Sequence, residues 1–230
     1  MNANEVVLVT GGNKGIGREI VRQLAERGFT VYLGPRDPER GRSAVDELMS
    51  RSASVIRFVR LDVTDVASVR TAVTTTEAAT ERLDMLVNNA GITVEWGVWT
   101  AEVTAAHLRE MYEVNVFGIL TVTSACLPLL RQPADRQHVQ RTRVTHPAER
   151  PRQPLPAQNF LAYGSPKATL NALTPIYAKA LPAGGITVNA ASPGLLQDNC
   201  NLSVGHCSHP RARRRPHRRA RTVNQLRPGP

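Results

Sequence analysis

Tyr163 and Lys167, in the run Tyr-Gly-Ser-Pro-Lys, stand four residues apart. On a helix that spacing puts both side chains on one face, where an ammonium favours the ionised form of the phenol beside it. A phenol with its pKa lowered in this way is a suitable acid for a developing alkoxide, the proton partner that hydride reduction of a carbonyl needs. Taken alone, such a pair is more often a helix surface pair. A second constellation lies near the start: Thr-Gly-Gly-Asn-Lys-Gly-Ile-Gly at residues 10–17, with Gly11, Gly15 and Gly17 around Asn13, Lys14 and Ile16. It follows an apolar run and opens a helical pattern. Glycines in that context let the backbone turn tightly and approach a pyrophosphate, whose charge meets free amides at the helix N-terminus. An ordinary glycine-rich strand-to-helix turn is the plain alternative.

The elements that must position these groups alternate along the chain. EVVLVT at 5–10 reads as a buried parallel strand. Ile20, Val21, Leu24 and Ala25 then recur at helical spacing, with Gly28 as the stop. TVYL at 30–33 is the second strand, followed by a helix over 38–49, the strand VIRFVRLDV at 55–63, a helix over 66–82 and the strand LDMLVNNAG from Leu83. Further helices are expected within 104–130 and 161–181, and a last strand at ITVNAAS. Strands and helices in strict turn imply an α/β fold, a Rossmann-type doubly wound parallel sheet in a single domain. Pro175 falls inside the helix of Tyr163 and Lys167, where proline costs roughly 3 kcal/mol. Pro166 is tolerated if the first turn of that helix begins there.

These motifs together resemble the short-chain dehydrogenase/reductase family, and NADPH-dependent carbonyl reductases and ketoreductases within it. The glycine spacing, LDVT at 61–64, NNAG at 88–91 and YGSPK follow the family's order over about residues 5–130 and 159–194. The resemblance implies that Asp62 and Val63 contact adenine and that Asn89, Ala90 and Gly91 lie beside the cofactor. It also implies that Lys167 holds the nicotinamide ribose and that Asn115 links the lysine to a proton-relay water. Pro193 and Gly194 precede the segment in which the family carries most of its substrate selectivity.

Charge separates NADP(H) from NAD(H), because a 2′-phosphate needs cations where an NAD enzyme usually places a carboxylate at the end of the second strand. Here that strand ends in LGPRD, so Arg36 can pair with the phosphate and Lys14 adds a second positive charge. Asp37 argues the other way, and a surface ion pair is the bland reading of both cations.

The family's serine, an oxyanion donor on the strand before the tyrosine helix, has no counterpart. No serine lies between Ser124 and Ser165, and Thr142 and Thr145 are the hydroxyl residues of the 131–158 interval. That interval is rich in arginine and proline, without aromatics or apolar periodicity, so it is expected to be atypical, with neither threonine in an apolar strand. Residues 195–230 repeat the failure as a basic tail. Both segments read as disordered. Stepping the codons forward by one base from Arg136, or from His209, permits family-like sequence, including the missing strand with its serine. Segments 136–158 and 195–230 are therefore expected to be products of frame errors.

The net charge of +10 resides in these stretches, since eight arginines lie beyond Asp198 with no acidic residue among them. A basic arm for nucleic acid or anionic membrane is the rival explanation, but it lacks interleaved aromatics or an amphipathic face. No run approaches the roughly 18 to 20 apolar residues of a membrane span, and no secretory signal precedes the first strand. Cys126, Cys200 and Cys207 lack metal-ligand spacing and read as free thiols. The expectation is a cytoplasmic oxidoreductase that reduces a small-molecule ketone or aldehyde with NADPH. Bacterial secondary metabolism is one setting, and monomer and homo-oligomer both stay open. A catalytically impaired NADPH-binding protein of the same fold is the alternative.

Overall fold

The strand β1 (Val6–Thr10) is buried at all five positions, because it lies inside a parallel sheet covered on both faces. In the computed structural model, residues 5–50, 55–94, 98–130, 142–145, 161–181 and 185–191 are described, the 142–145 stretch by its backbone. β2 (Thr30–Gly34) and β4 (Met85–Val87) flank β1, and β3 (Ile56–Phe58) lies outside β2, giving the order β3-β2-β1-β4. All these pairs are parallel, with Val7 opposite Val31 and Met85. The strand order reverses between β1 and β4, and the crevice at the carboxyl ends there is where open α/β sheets bind ligands.

Strand alternation divides the core in two. Leu8, Tyr32, Leu61 and Leu86 face one side, and Val7, Val9, Val31 and Leu33 face the other. The first face is covered by α3 (Val66–Thr80) and α5 (Gly118–Leu130), through Val69, Ala72, Val122 and Cys126. The second is covered by α1 (Gly15–Glu26) and α2 (Pro38–Met49), through Val21, Leu24, Ala44 and Leu48. Burial pushes the Cys126 thiol up to about 12, so it is an inert core group. Cys200 and Cys207 lie outside the described residues. At the amino end of the sheet the buried Asp84 accepts the Val6 N–H at 2.8 Å and is paired with Arg82.

Between β4 and α5 come α4 (Ala105–Tyr112) and a π turn (Glu113–Phe117), continuous with α5 over Ala105–Leu130. Contrary to the sequence expectation, this composite helix is long and apolar enough to cross a membrane, because Thr, Ser and Gly between the aliphatic residues hardly lower its hydropathy. Half of its most apolar stretch is buried inside the fold, as a core helix requires. Pro128 lies inside it, a helix-interior proline that sequence reasoning passed over.

A second correction concerns the 131–158 interval. Thr142–Thr145 forms a strand, β5, parallel to β6 (Val188–Ala191) and running beside β4. Pairing with β6 supplies the ladder that the local pattern does not announce, and Thr and Val suit a pleated surface. The rest of that interval and the 195–230 tail lie outside the described residues.

The helix α6 (Leu161–Ala180) carries Tyr163 and Lys167 and has both Pro166 and Pro175 inside it. It begins five residues before Pro166, so this proline is not in the first turn, and its missing N–H weakens the turn between Tyr163 and Lys167. Gly164 is in the same turn, with open space where a Cβ would stand. Gly164→Ala is expected to raise stability by about 0.5–1 kcal/mol, by removing the helix penalty of glycine. A urea midpoint that falls instead would contradict this.

Candidate active site

The glycine loop joins β1 to α1 at the switch point. Gly11 has φ +63° and Gly15 φ +52°, the left-handed region that glycine alone enters freely. A Cβ on Gly11 would lie 3.0 Å from Ala90 Cα, and one on Gly17 would lie 2.3 Å from Asn89 Nδ2 and 2.5 Å from the Gly11 carbonyl oxygen. Beside Gly15 the space is open. Lys14, at the N-cap of α1, makes no side-chain cap, whereas Asp37 and Asp65 cap α2 and α3. The first amides of α1 are thus left by the neighbouring side chains for an anion. Asn13 is half-buried, Lys14 exposed, and Ile16 packs against the α1–α2 core. Open space, left-handed glycines and uncapped amides together fit a pyrophosphate.

Beyond β2, Arg36 is exposed and makes no ion pair among the described residues. Asp37 serves the scaffold, its Oδ1 accepting the Glu39 and Arg40 N–H groups at 3.0 and 3.1 Å and its Oδ2 facing Arg40 Nε at 3.4 Å. After β3, Asp62 Oδ1 accepts both the N–H and the hydroxyl of Thr64, at 3.0 and 2.7 Å. Val63 is buried against Gly118, where a Cβ would meet its Cγ2 at 2.7 Å.

The NNAG segment is held by a residue that sequence reasoning missed. Thr10 Oγ1 accepts the N–H groups of Asn89 and Ala90, both at 3.0 Å, and donates to the Val87 carbonyl at 3.4 Å. Asn89 Nδ2 returns to the carbonyls of Thr10 and Gly11 at 3.1 and 3.2 Å. Asn88 Nδ2 donates to Thr123 Oγ1 at 3.0 Å, tying β4 to α5. Thr10 closes an apolar strand and Thr123 lies within an apolar helix, and neither hydroxyl breaks the pattern of its element, so neither threonine stands out from spacing.

Asn115 is fully buried in the π turn. Its Oδ1 accepts the Ile92 N–H at 2.8 Å and its Nδ2 donates to the Ile92 carbonyl at 2.9 Å. Gly91 packs against it, a Cβ there falling 3.1 Å from Asn115 Oδ1. Its side chain therefore fixes the loop after β4. The π turn packs on α6 and brings that loop to the tyrosine helix.

On α6, Lys167 Nζ lies 5.3 Å from the centre of the Tyr163 ring. Spacing suggests a lowered phenol pKa; the structure reverses the sign. Burial raises the Tyr163 phenol above its ordinary value and lowers the Lys167 ammonium below its own, because both charged forms lose water. Spacing along a helix carries no information on depth. The hydroxyls of Thr93 and Ser165 are buried without a hydrogen-bond partner among the described residues. Thr142 and Thr145 end β5, and Pro193 and Gly194 lie outside the described residues.

The family model for short chain dehydrogenases matches residues 5–204. The chain belongs to this family. L-fucose dehydrogenase of Bos taurus is 35% identical over 192 residues, which cover 84% of this chain and 66% of the bovine protein. The chain thus spans about two thirds of that relative's length. Among solved structures, a 3-ketoacyl-ACP reductase of Sinorhizobium meliloti has a TM-score of 0.73 at 27% identity, over 84% of this chain and 73% of the other. RhlG of Pseudomonas aeruginosa, solved as an NADP active-site complex, has a TM-score of 0.70 at 26% identity, over 85% and 73%. Members of the short-chain dehydrogenase family are oxidoreductases that use a nicotinamide cofactor on small molecules, and this enzyme has their parallel Rossmann-like sheet.

Proposed function

We propose that the enzyme transfers hydride from NADPH to the carbonyl of a small-molecule ketone or aldehyde, with Tyr163 as the acid. The observation that carries this reading is the half-buried Tyr163–Lys167 pair, with Nζ 5.3 Å from the ring, on a helix packed against the π turn of Asn115. The bound nicotinamide would supply the hydride. Gly11, Gly15 and Gly17 leave room for the pyrophosphate, and the amides from Gly15 onward meet its charge. Asn89, Ala90 and Gly91 form the wall beside it, and Asp62 and Val63 the adenine end. Burial keeps the Tyr163 proton on its oxygen at neutral pH, so the group is loaded as a donor; that capacity is lost as pH rises through its raised pKa. Lys167, while charged, stabilises the phenolate left behind. Pro193 and Gly194 are assigned to the cofactor's far end by sequence alone.

NADPH over NADH is supported by Arg36 and Lys14, exposed at one end of the site, and by the engagement of Asp37 in its helix cap. The resemblance to a protein solved with NADP agrees with it. Arg36→Glu is expected to raise KM for NADPH about tenfold or more, the worth of a charged hydrogen bond, while KM for NADH falls or holds. Equal KM changes for both cofactors would sink the assignment.

Ketoreduction in bacterial secondary metabolism is the narrower form of the reading, supported by the 3-ketoacyl-ACP reductase likeness. A catalytically impaired NADPH-binding protein is the second reading, favoured by the lack of any serine between Ser124 and Ser165. Loss of an oxyanion donor costs on the order of 100-fold or more in rate. NADPH consumption over a panel of ketones separates the two: tight binding without turnover selects the impaired form. We assign residues 1–194 to the nucleotide-binding domain and 195–230 to a tail, with 136–158 and 195–230 out of frame. Uninterrupted coding DNA for these residues in the present frame would remove that assignment.

A further inference from the structure

The turn that holds Tyr163 and Lys167 is weakened twice, since Pro166 cannot donate to the carbonyl four residues back and Gly164 adds backbone freedom. Something outside that turn must fix it. Thr169 Oγ1 donates to the Ser165 carbonyl at 3.1 Å, so its one hydroxyl proton is committed. Tyr112 Oη lies 3.0 Å from the same Oγ1, and the proton between them is therefore the tyrosine's. The chain of bonds runs from Tyr112 at the end of α4, through Thr169, to the carbonyl beside Pro166. Tyr112 is three residues before Asn115, whose amide grips Ile92. Its ring packs with Val116, Ile119 and Leu170 in a small apolar cluster between the helices. One half-buried bond thus joins the segment that fixes the loop after β4 to the segment that carries the acid.

We propose that Tyr112 is a positioning residue, whose hydroxyl, donated to Thr169, holds the Tyr163–Lys167 turn against the Asn115 turn. The proposal rests on the reductase reading for its kinetic consequence but not for its structural one. The test uses the full chain, with Thr169→Val and Tyr112→Phe each removing the bond and Thr169→Ser keeping it. In a chain that turns over, both removals are expected to lower kcat about fivefold, the worth of one hydrogen bond, with KM for NADPH held within about twofold. The double variant should be no worse than either single one. Thr169→Ser should keep kcat. Independently of turnover, hydrogen exchange in a 161–168 peptide should speed up in Thr169→Val and not in Thr169→Ser, while a 171–180 peptide holds its rate. Unchanged exchange in 161–168, or acceleration spread evenly over the chain, overturns the proposal even in an inactive chain. An unchanged kcat in both removals, or kcat and KM moving together, overturns it in an active one. A parent chain without turnover but with localised exchange upholds the tie and discards the reductase reading.

Discussion

Tyr163→Phe is expected to lower NADPH-dependent carbonyl reduction by about 100-fold to 10,000-fold, the usual contribution of a positioned acid. The ring stays, and with it the packing under Lys167, whose Nζ stands 5.3 Å from the ring centre. What leaves is the proton and the oxygen that carries it. Cofactor affinity should therefore hold within about threefold, and the loss should fall on kcat rather than on KM for NADPH. Stopped-flow single turnover is the decisive measurement. A variant that keeps more than a tenth of parental turnover would transfer the acid role to another group. The pH profile gives the sign: because burial raises the phenol, parental reduction should persist through neutral pH and fall only on the alkaline side.

Gly17→Ala is the second large effect. Its new methyl would stand 2.5 Å from the Gly11 carbonyl oxygen and 2.3 Å from Asn89 Nδ2. The carbonyl is backbone and cannot turn away, and Asn89 is held by the carbonyls of Thr10 and Gly11. Relief requires shifting the loop and the NNAG segment together. A loss on the order of 1–3 kcal/mol in stability is expected, as for other overpacked sites. NADPH binding, followed by quenching of tryptophan or enhancement of NADPH fluorescence, should weaken at least tenfold, since the same shift misplaces the amides that meet the pyrophosphate. Gly15→Ala is a useful contrast: a Cβ there touches nothing, so its cost comes from φ +52° alone.

The parts of the site that spacing can encode were readable in the chain. Gly11, Gly15 and Gly17 mark a turn because their geometry excludes side chains, and Tyr163 and Lys167 share a helix face because the helix repeat says so. Depth is another matter. The direction of the Tyr163 shift follows from how much water α6 loses against its neighbours, a property of packing, and spacing alone suggested the opposite sign. Asn115 was picked out by resemblance, yet its bond to Ile92 depends on a π turn that no periodicity announces. Thr10 and Thr123 escaped notice for the same reason: a hydroxyl within an apolar strand or helix looks like a tolerated exception until its partners are seen. β5 was missed because parallel pairing with β6 outweighs the poor local pattern of Thr142–Thr145. Pro175 was placed inside α6 by the helical pattern, whereas Pro166, expected in a first turn, lies five residues into the helix.

The division of labour between Arg36 and Asp37 has a consequence for how such a protein changes over generations. Asp37 is bound to two amides of α2, so altering it unsettles the scaffold; Arg36 is bound to nothing among the described residues, so altering it leaves the scaffold alone. On the proposed NADPH reading, coenzyme choice and structural integrity are thereby written in adjacent but separate codons. On that reading, a lineage carrying this arrangement can alter its preference between reducing pools at Arg36 without unsettling the helix cap that Asp37 supplies.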